Sequence, residues 1–256
     1  MSPQAVRSRI CLAEVETVIL AGGLGTRVKG VLGDTPKVLA PIGGRPFIEY
    51  LLDWLTGFGA RKVILSLGHR AEQVLEFLDR NPRRDMELEA SVEPEPLGTA
   101  GGLRHVRGRL SGNPVLVLNG DSFVDADLCV FLGTHRGSAP LASILCAEVA
   151  DTSRYGRVET DRLGRIVKFV EKGAAAGEPG LVNAGVYLFS SAFLDRLAAR
   201  EGASLEKDFL EPALSASIRA FPCRGAFIDI GTPESLEEAA AVLERAIPAP
   251  GLETVP

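Results

Sequence analysis

Two cations, Arg27 and Lys37, follow a glycine-rich turn whose composition suits a chain of phosphates. The turn runs Leu20-Ala21-Gly22-Gly23-Leu24-Gly25-Thr26 and follows Val18-Ile19-Leu20, an apolar run that reads as a buried strand. Glycines let the main chain approach an anion with no side chain between, and successive backbone N–H groups then form a concave anion site. Cations beside it stabilise phosphoryl charge. Pro36 biases its predecessor toward extended geometry, so Lys37 belongs to an ordered segment. Two commoner phosphate loops are excluded. No G-x-x-x-x-G-K-[ST] string occurs, and the G-x-G-x-x-G of dinucleotide sites fails at Val28.

Three further groups carry candidate chemistry. Asp121 directly follows the apolar run Val115–Leu118 and Asn119-Gly120, and Asp229 sits inside Phe227-Ile228-Asp229-Ile230. A carboxylate set in apolar surroundings is costly unless paired or metal-bound. Mg²⁺ is bound by one or two carboxylates plus phosphate oxygens, so Asp121 and Asp229 are the candidate metal ligands, against a plain turn or capping role. Glu93 opens Glu93-Pro94-Glu95-Pro96-Leu97-Gly98-Thr99, ahead of a helix. Gly98 would let backbone pass close to a base, with Thr99 near the helix cap. Glu93, ionised, only accepts. Guanine presents adjacent N1–H and N2–H donors, which one carboxylate can take together, so Glu93 predicts a guanine preference. In the second half, Tyr155-Gly156, Glu171-Lys172 and Asn183-Ala184-Gly185 suit a polyhydroxylated sugar, with Lys172 as a point charge for its phosphate. Glu171 and Lys172 read equally well as solvated residues.

The elements that must position these groups follow from pattern. Thr17–Leu20, Lys62–Leu67, Leu88–Val92, Val115–Leu118 and Ala142–Val149 read as strands, alternating with helices over Pro46–Phe58, Ala71–Leu78, Thr99–Arg107 and Asp127–His135. Trp54 falls on the apolar face of the first helix and belongs to the core. This order predicts an α/β fold, a Rossmann-like, mostly parallel sheet flanked by helices, with ligands at the carboxyl ends of its strands. After residue 150, Arg157–Thr160, Arg165–Val170 and Val182–Phe189 predict a smaller antiparallel part, followed by helices over Leu205–Leu214 and Ser235–Leu243 and a strand over Phe227–Ile230. Thr232-Pro233 is an N-cap followed by a first helical residue. The expected organisation is a loose N-terminus over 1–14, one domain over 15–247 (nucleotide part 15–150, sugar part 151–230) and a tail over 248–256.

Composition sets outer limits. With 256 residues, 46% hydrophobic, 24% charged and a formal net charge of −5, the chain has ordinary globular usage. It has no run of Lys or Arg, which argues against nucleic acid as a partner. No apolar run approaches a bilayer span, so no membrane partner is expected. Cys11, Cys129, Cys146 and Cys223 lack metal or redox spacing and read as reduced thiols of a cytoplasmic protein. His69, His105 and His135 read as surface or capping residues. Oligomeric state is left open, a homo-oligomer included.

The string G-G-x-G-T-R with a later P-K resembles the signature of the sugar-phosphate nucleotidyltransferases, the sugar nucleotide pyrophosphorylases. The later strings match that family in order, over roughly residues 16–245, and Glu-Pro-Leu-Gly-Thr-Ala-Gly resembles its guanylyltransferases for mannose-type sugars. Ser204-Leu205-Glu206-Lys207-Asp208-Phe209 fits as well. The resemblance implies a nucleotide-diphospho-sugar transferase fold, an NTP and a sugar 1-phosphate as substrates, and Mg²⁺. It places Leu20, Ala21, Gly22, Gly23, Gly25, Thr26, Glu93, Gly98 and Thr99 at the nucleotide. Arg27 and Lys37 lie at the phosphates, Asp121 and Asp229 at the metal, Lys172 at the sugar phosphate, and Tyr155, Gly156, Glu171, Asn183 and Gly185 at the sugar. Motifs shared across the family leave uridylyl-, thymidylyl- and cytidylyltransferases as alternatives, and a non-catalytic nucleotide-sugar sensor as another.

Overall fold

The computed structural model describes residues 10–170 and 177–247. Along them run β1 (Thr17–Ala21), α1 (Lys29–Leu32), β2 (Pro41–Ile42), β3 (Arg45–Pro46), α2 (Phe47–Gly57), β4 (Lys62–Leu67), α3 (Ala71–Arg80), β5 (Glu87–Val92), α4 (Gly98–Val106), β6 (Val115–Asn119), β7 (Ser122–Val124), α5 (Leu128–Ser138), β8 (Ala142–Val149), β9 (Arg157–Thr160), β10 (Ile166–Val170), β11 (Gly180–Phe189), α6 (Ser191–Ala198), β12 (Ile218–Cys223), β13 (Phe227–Asp229) and α7 (Pro233–Ala246).

Strand alternation divides the core between two faces. Ile19 of β1 and Leu116 and Leu118 of β6 bury on one face beneath α2, α5 and α7. Val18, Val115 and Val117 bury on the other beneath α4 and α6. Strands apolar on both sides require helices on both sides, as the βαβα order predicts. On α2, Phe47, Tyr50, Leu51, Trp54 and Leu55 are all buried, each such side chain contributing about 1.5–3 kcal/mol. Trp54 meets Phe58 and Phe123 edge-on, with ring centroids 6.3 and 5.2 Å away, and is a core residue.

Strands β5, β4, β1 and β6 lie side by side and parallel. The next strand is β11, antiparallel to β6, and β8 is antiparallel to β11 in turn. So β8 is parallel to β6, but one place away. The antiparallel strands thus come after residue 150, as the sequence suggests, but β11 is inserted between β6 and β8 in the one sheet instead of standing in a separate part. One edge of β11 pairs with β8 at both ends of the strand. The other edge pairs with β9 at Leu181 and Val182, and with β6 from Val186 to Phe189. Strand β12, unmarked in the sequence, is parallel to β8.

Other expectations are corrected. The N-terminus expected to be loose over 1–14 is fixed from residue 11 onward: Cys11 N and Leu12 N both donate to Phe58 O at 3.1 Å, and Leu12 is 1% exposed because it packs into the core. Residues 1–9 and 248–256 lie outside the described residues. Cys11 and Cys129 are not reduced thiols but a disulfide, their Cα atoms 5.6 Å apart across 118 residues of sequence. Packing of the N-terminal segment brings them together, which no spacing rule reveals. Cys146 is free and buried, its thiol pushed up to about 12 by burial. His135 is neither surface nor cap. It is 4% exposed, with Nδ1 2.9 Å from Ser143 Oγ, and burial lowers its pKa to about 4. The helix expected over Leu205–Leu214 is a π-helical turn, Leu205–Leu210, followed by a 3₁₀ segment. Thr232 caps α7 as expected, its hydroxyl accepting from Ser235 N, with Pro233 as the first helical residue. No helix among the described residues is long and apolar enough to cross a membrane.

Candidate active site

Parallel register brings four loops to one edge. Leu20 of β1 is opposite Asn119 of β6, Ala21 opposite Leu67 of β4, and Leu67 opposite Val92 of β5. The segments following each strand therefore begin side by side. Gly120 N donates to Leu20 O at 2.8 Å and His69 N to Gly22 O at 3.4 Å, which stitches three of them together.

A cavity of about 590 Å³ opens there. Its walls include Leu20 to Arg27 without a break, then Lys37, Glu93, Gly98, Thr99 and Asp121. The nucleotide and phosphate residues singled out in the sequence thus share one cavity. Arg27 is exposed and makes no hydrogen bond or ion pair among the described residues. Lys37 Nζ lies 2.7 Å from Asp121 Oδ2, the two side chains 20% and 30% exposed. Val38, Pro96, Asn119, Gly120 and Ala203 also line the cavity. Gly120 and Pro96 belong to segments the sequence singles out, whereas the types of Val38 and Ala203 carry no signal and only loop geometry places them.

Gly22 has a second purpose. A Cβ there would lie 2.5 Å from Glu93 Oε1, whereas one at Gly23 would meet nothing within 4 Å. The missing side chain at Gly22 makes room for Glu93, while Gly23 stands open. Glu93 itself is 8% exposed. Ser66 Oγ donates to its Oε1 at 3.3 Å and Leu97 N to its Oε2 at 3.1 Å. Its carboxylate therefore fixes the 93–98 loop against β4, and any base reading uses its remaining acceptor capacity.

The two candidate metal ligands, Asp121 just before β7 and Asp229 at the end of β13, are brought together by the pairing of those strands. Strand β13 pairs antiparallel with β7, Asp229 opposite Ser122, and Ile230 N donates to Asp121 O at 2.9 Å. Asp229 Oδ1 accepts from Gly231 N at 2.6 Å. Two hard carboxylates brought to adjacent positions, one already drawing a cation, are a donor set that fits Mg²⁺.

The sugar residues fall into two groups. Tyr155 packs on Phe227, ring centroids 5.3 Å apart, two residues from Asp229, and its hydroxyl is pushed up by burial. Gly156 follows it, and a Cβ there would lie 3.1 Å from Val170 O, at the end of β10. Asn183 and Gly185 lie on β11, where Gly185 N donates to Asn183 Oδ1 at 3.0 Å. None of these four lines the cavity with Arg27. Glu171 and Lys172 lie outside the described residues.

Comparison with known proteins adds to this geometry. Residues 16–246 match the model of the nucleotidyl transferase family. The chain belongs to that family. Among relatives of this nucleotidyl transferase, the D-glycero-alpha-D-manno-heptose 1-phosphate guanylyltransferase of Campylobacter jejuni is 34% identical over 220 residues, 86% of this chain and 96% of the relative. The mannose-1-phosphate guanylyltransferase of Mycobacterium tuberculosis is 34% identical over 245 residues, 93% of this chain and 67% of the relative. The crystal structure of HddC from Yersinia pseudotuberculosis complexed with GMP-PN superposes with a TM-score of 0.79 at 32% identity, covering 89% of this chain and 98% of that one.

Proposed function

We propose that this nucleotidyl transferase moves GMP from GTP to D-glycero-α-D-manno-heptose 1-phosphate or mannose 1-phosphate, releasing pyrophosphate. The observation that carries the reading is the shared cavity, in which the glycine-rich turn, Arg27, Lys37 and Asp121 converge beside the Glu93 loop. Relatives that act on heptose and mannose 1-phosphates support the choice of sugar.

The reaction needs no protein nucleophile, because the attacking sugar-phosphate oxygen is already ionised. It adds in line to the α-phosphorus as pyrophosphate leaves, so the protein's part is positioning and charge stabilisation. Backbone N–H groups of the turn hold the triphosphate. Arg27 takes the departing pyrophosphate, and Lys37 moves from Asp121 to the phosphates. Lys172 neutralises the sugar phosphate, with Glu171, Asn183 and Gly185 around the sugar and Tyr155-Gly156 at its margin. Asp121 and Asp229 would hold Mg²⁺, which supplies charge neutralisation between the two anions. Glu93 accepts from the guanine edge. Use of a nucleoside triphosphate supports a cytoplasmic reading, against which the Cys11–Cys129 bridge is unusual.

The test is pyrophosphate release from each of GTP, ATP, UTP, CTP and dTTP with heptose, mannose and glucose 1-phosphates, for the wild type and Glu93→Gln. The expected product requires GTP with a manno-configured sugar, and the variant loses preference for GTP over ATP. Turnover with UTP or dTTP in place of GTP would overturn the base assignment. Binding without turnover would turn the protein into a sensor.

A further inference from the structure

The segment Ser204–Phe209 has a role in stitching loops. Asp208 Oδ2 accepts from Ala203 N and Ser204 N at 2.9 and 2.8 Å, and Leu205 N donates to Thr99 Oγ1 at 2.9 Å. Glu206 is turned elsewhere, its carboxylate accepting from Asn183 Nδ2. We infer that Glu206 reads the sugar: with Asn183 it accepts hydroxyl protons of the sugar 1-phosphate and sets the preference among sugars. The inference deepens the proposed nucleotidyl transfer and rests on it.

Two irregular pieces of backbone create this pair. Leu205–Leu210 is a π-helical turn, a rare form found mostly at functional sites. Asn183 lies where the pairing of β11 with β8 shifts register, between Asn183 and Tyr187. Such bulges re-aim a side chain beside an active site. Each irregularity forgoes regular pairing, and the two meet at the Asn183–Glu206 contact.

The pair is tied to the cavity wall on two sides. Asn183 Nδ2 also donates to the buried Tyr187 hydroxyl at 2.9 Å. Burial pushes that hydroxyl up, against hydrogen bonds from Asn183 and Asn119. Asn119 lines the cavity, and its Oδ1 is buried without a protein partner. Gly185, at φ +72°, passes so close to Asn119 that a Cβ would lie 2.8 Å from its amide nitrogen. On the other side Thr99, also in the wall, holds Leu205, the neighbour of Glu206. Chemistry excludes the phosphates as the partner, since Glu206 is anionic and exposed. Neutral hydroxyls are donors, and a carboxylate can accept them beside the Asn183 amide it already holds.

Steady-state kinetics with GTP, mannose 1-phosphate and its monodeoxy analogues test the assignment. Glu206→Gln should raise KM for mannose 1-phosphate by about ten-fold or more, the scale of one lost charged hydrogen bond. KM for GTP should stay within about two-fold, and the preference for mannose 1-phosphate over one monodeoxy analogue should narrow. A sugar KM unchanged within about two-fold overturns the inference, as does an equal rise for both substrates or a uniform loss across all analogues. Should Glu206→Gln not fold, Glu206→Asp, which keeps the charge and shortens the reach, gives the same readout. A wild type that converts no sugar 1-phosphate defeats the function and this inference together. An active wild type with an indifferent Glu206 defeats only the inference.

Discussion

The ion pair between Lys37 and Asp121 is too wet to be kept for stability. With side chains 20% and 30% exposed, it contributes at most about 1 kcal/mol. Asp121→Asn should therefore leave Tm nearly unchanged while cutting kcat by about 10²–10³, the usual effect of removing one electrostatic group at a phosphoryl centre. Pyrophosphate release at several Mg²⁺ concentrations, alongside thermal melts, checks both halves. A fall in Tm that matched the loss of rate would make Asp121 a structural residue. At this scale the cavity wall was legible wherever neighbours in sequence are neighbours in space, as from Leu20 to Arg27. Asn119 and Ala203 were not legible, because register and backbone contacts between distant segments put them in the wall. Gly22 was legible as a glycine but not in its purpose, since the Glu93 carboxylate that fills its space lies far along the chain.

Among elements, period and composition revealed those in the first half of the chain, where apolar strands alternate with amphipathic helices. They failed where an element is short, mixed or irregular. Strand β12 contains Pro222 and reads as a loop, and among the described strands it pairs with β8 alone, an edge position that tolerates proline. The π-helical turn has the composition of an ordinary helix. The segment before β1 looked loose because its fixings, the Phe58 carbonyl and the Cys129 sulfur, are remote. That second fixing joins residue 11 to α5 across 118 residues. Opening it by Cys11→Ser should lower stability by about 2–4 kcal/mol in denaturant titration. Dithiothreitol should destabilise the wild type but not the variant. Equal sensitivity of the two proteins to reductant would show that the bridge does not form in solution.

For the whole molecule, one buried side chain sets how stability responds to mild acid. His135 has an ordinary pKa of 6.5 and is lowered to about 4 by burial, with a smaller contribution from Arg136. The unfolded chain thus binds a proton below about pH 6.5 that the native protein refuses until about pH 4, so stability falls as pH drops through that window. Depressed carboxylates such as Asp85 and Glu89 release their contributions only near or below the usual carboxylate range. Melts between pH 7 and 5 should show a decline in Tm that His135→Asn flattens. A variant that declined as steeply as the wild type would assign the effect to other groups.

Strand β11 carries the longest-range implication. Its later residues pair with β6, beside the nucleotide cavity, and its earlier ones with β9, beside Tyr155-Gly156. Strand β8 pairs with both stretches, on either side of the register shift between Asn183 and Tyr187, and so splints them. A jaw-like swing of one stretch against the other would have to strip β8 from one of them, so large movements around the substrates fall to the connections at the sheet's rim.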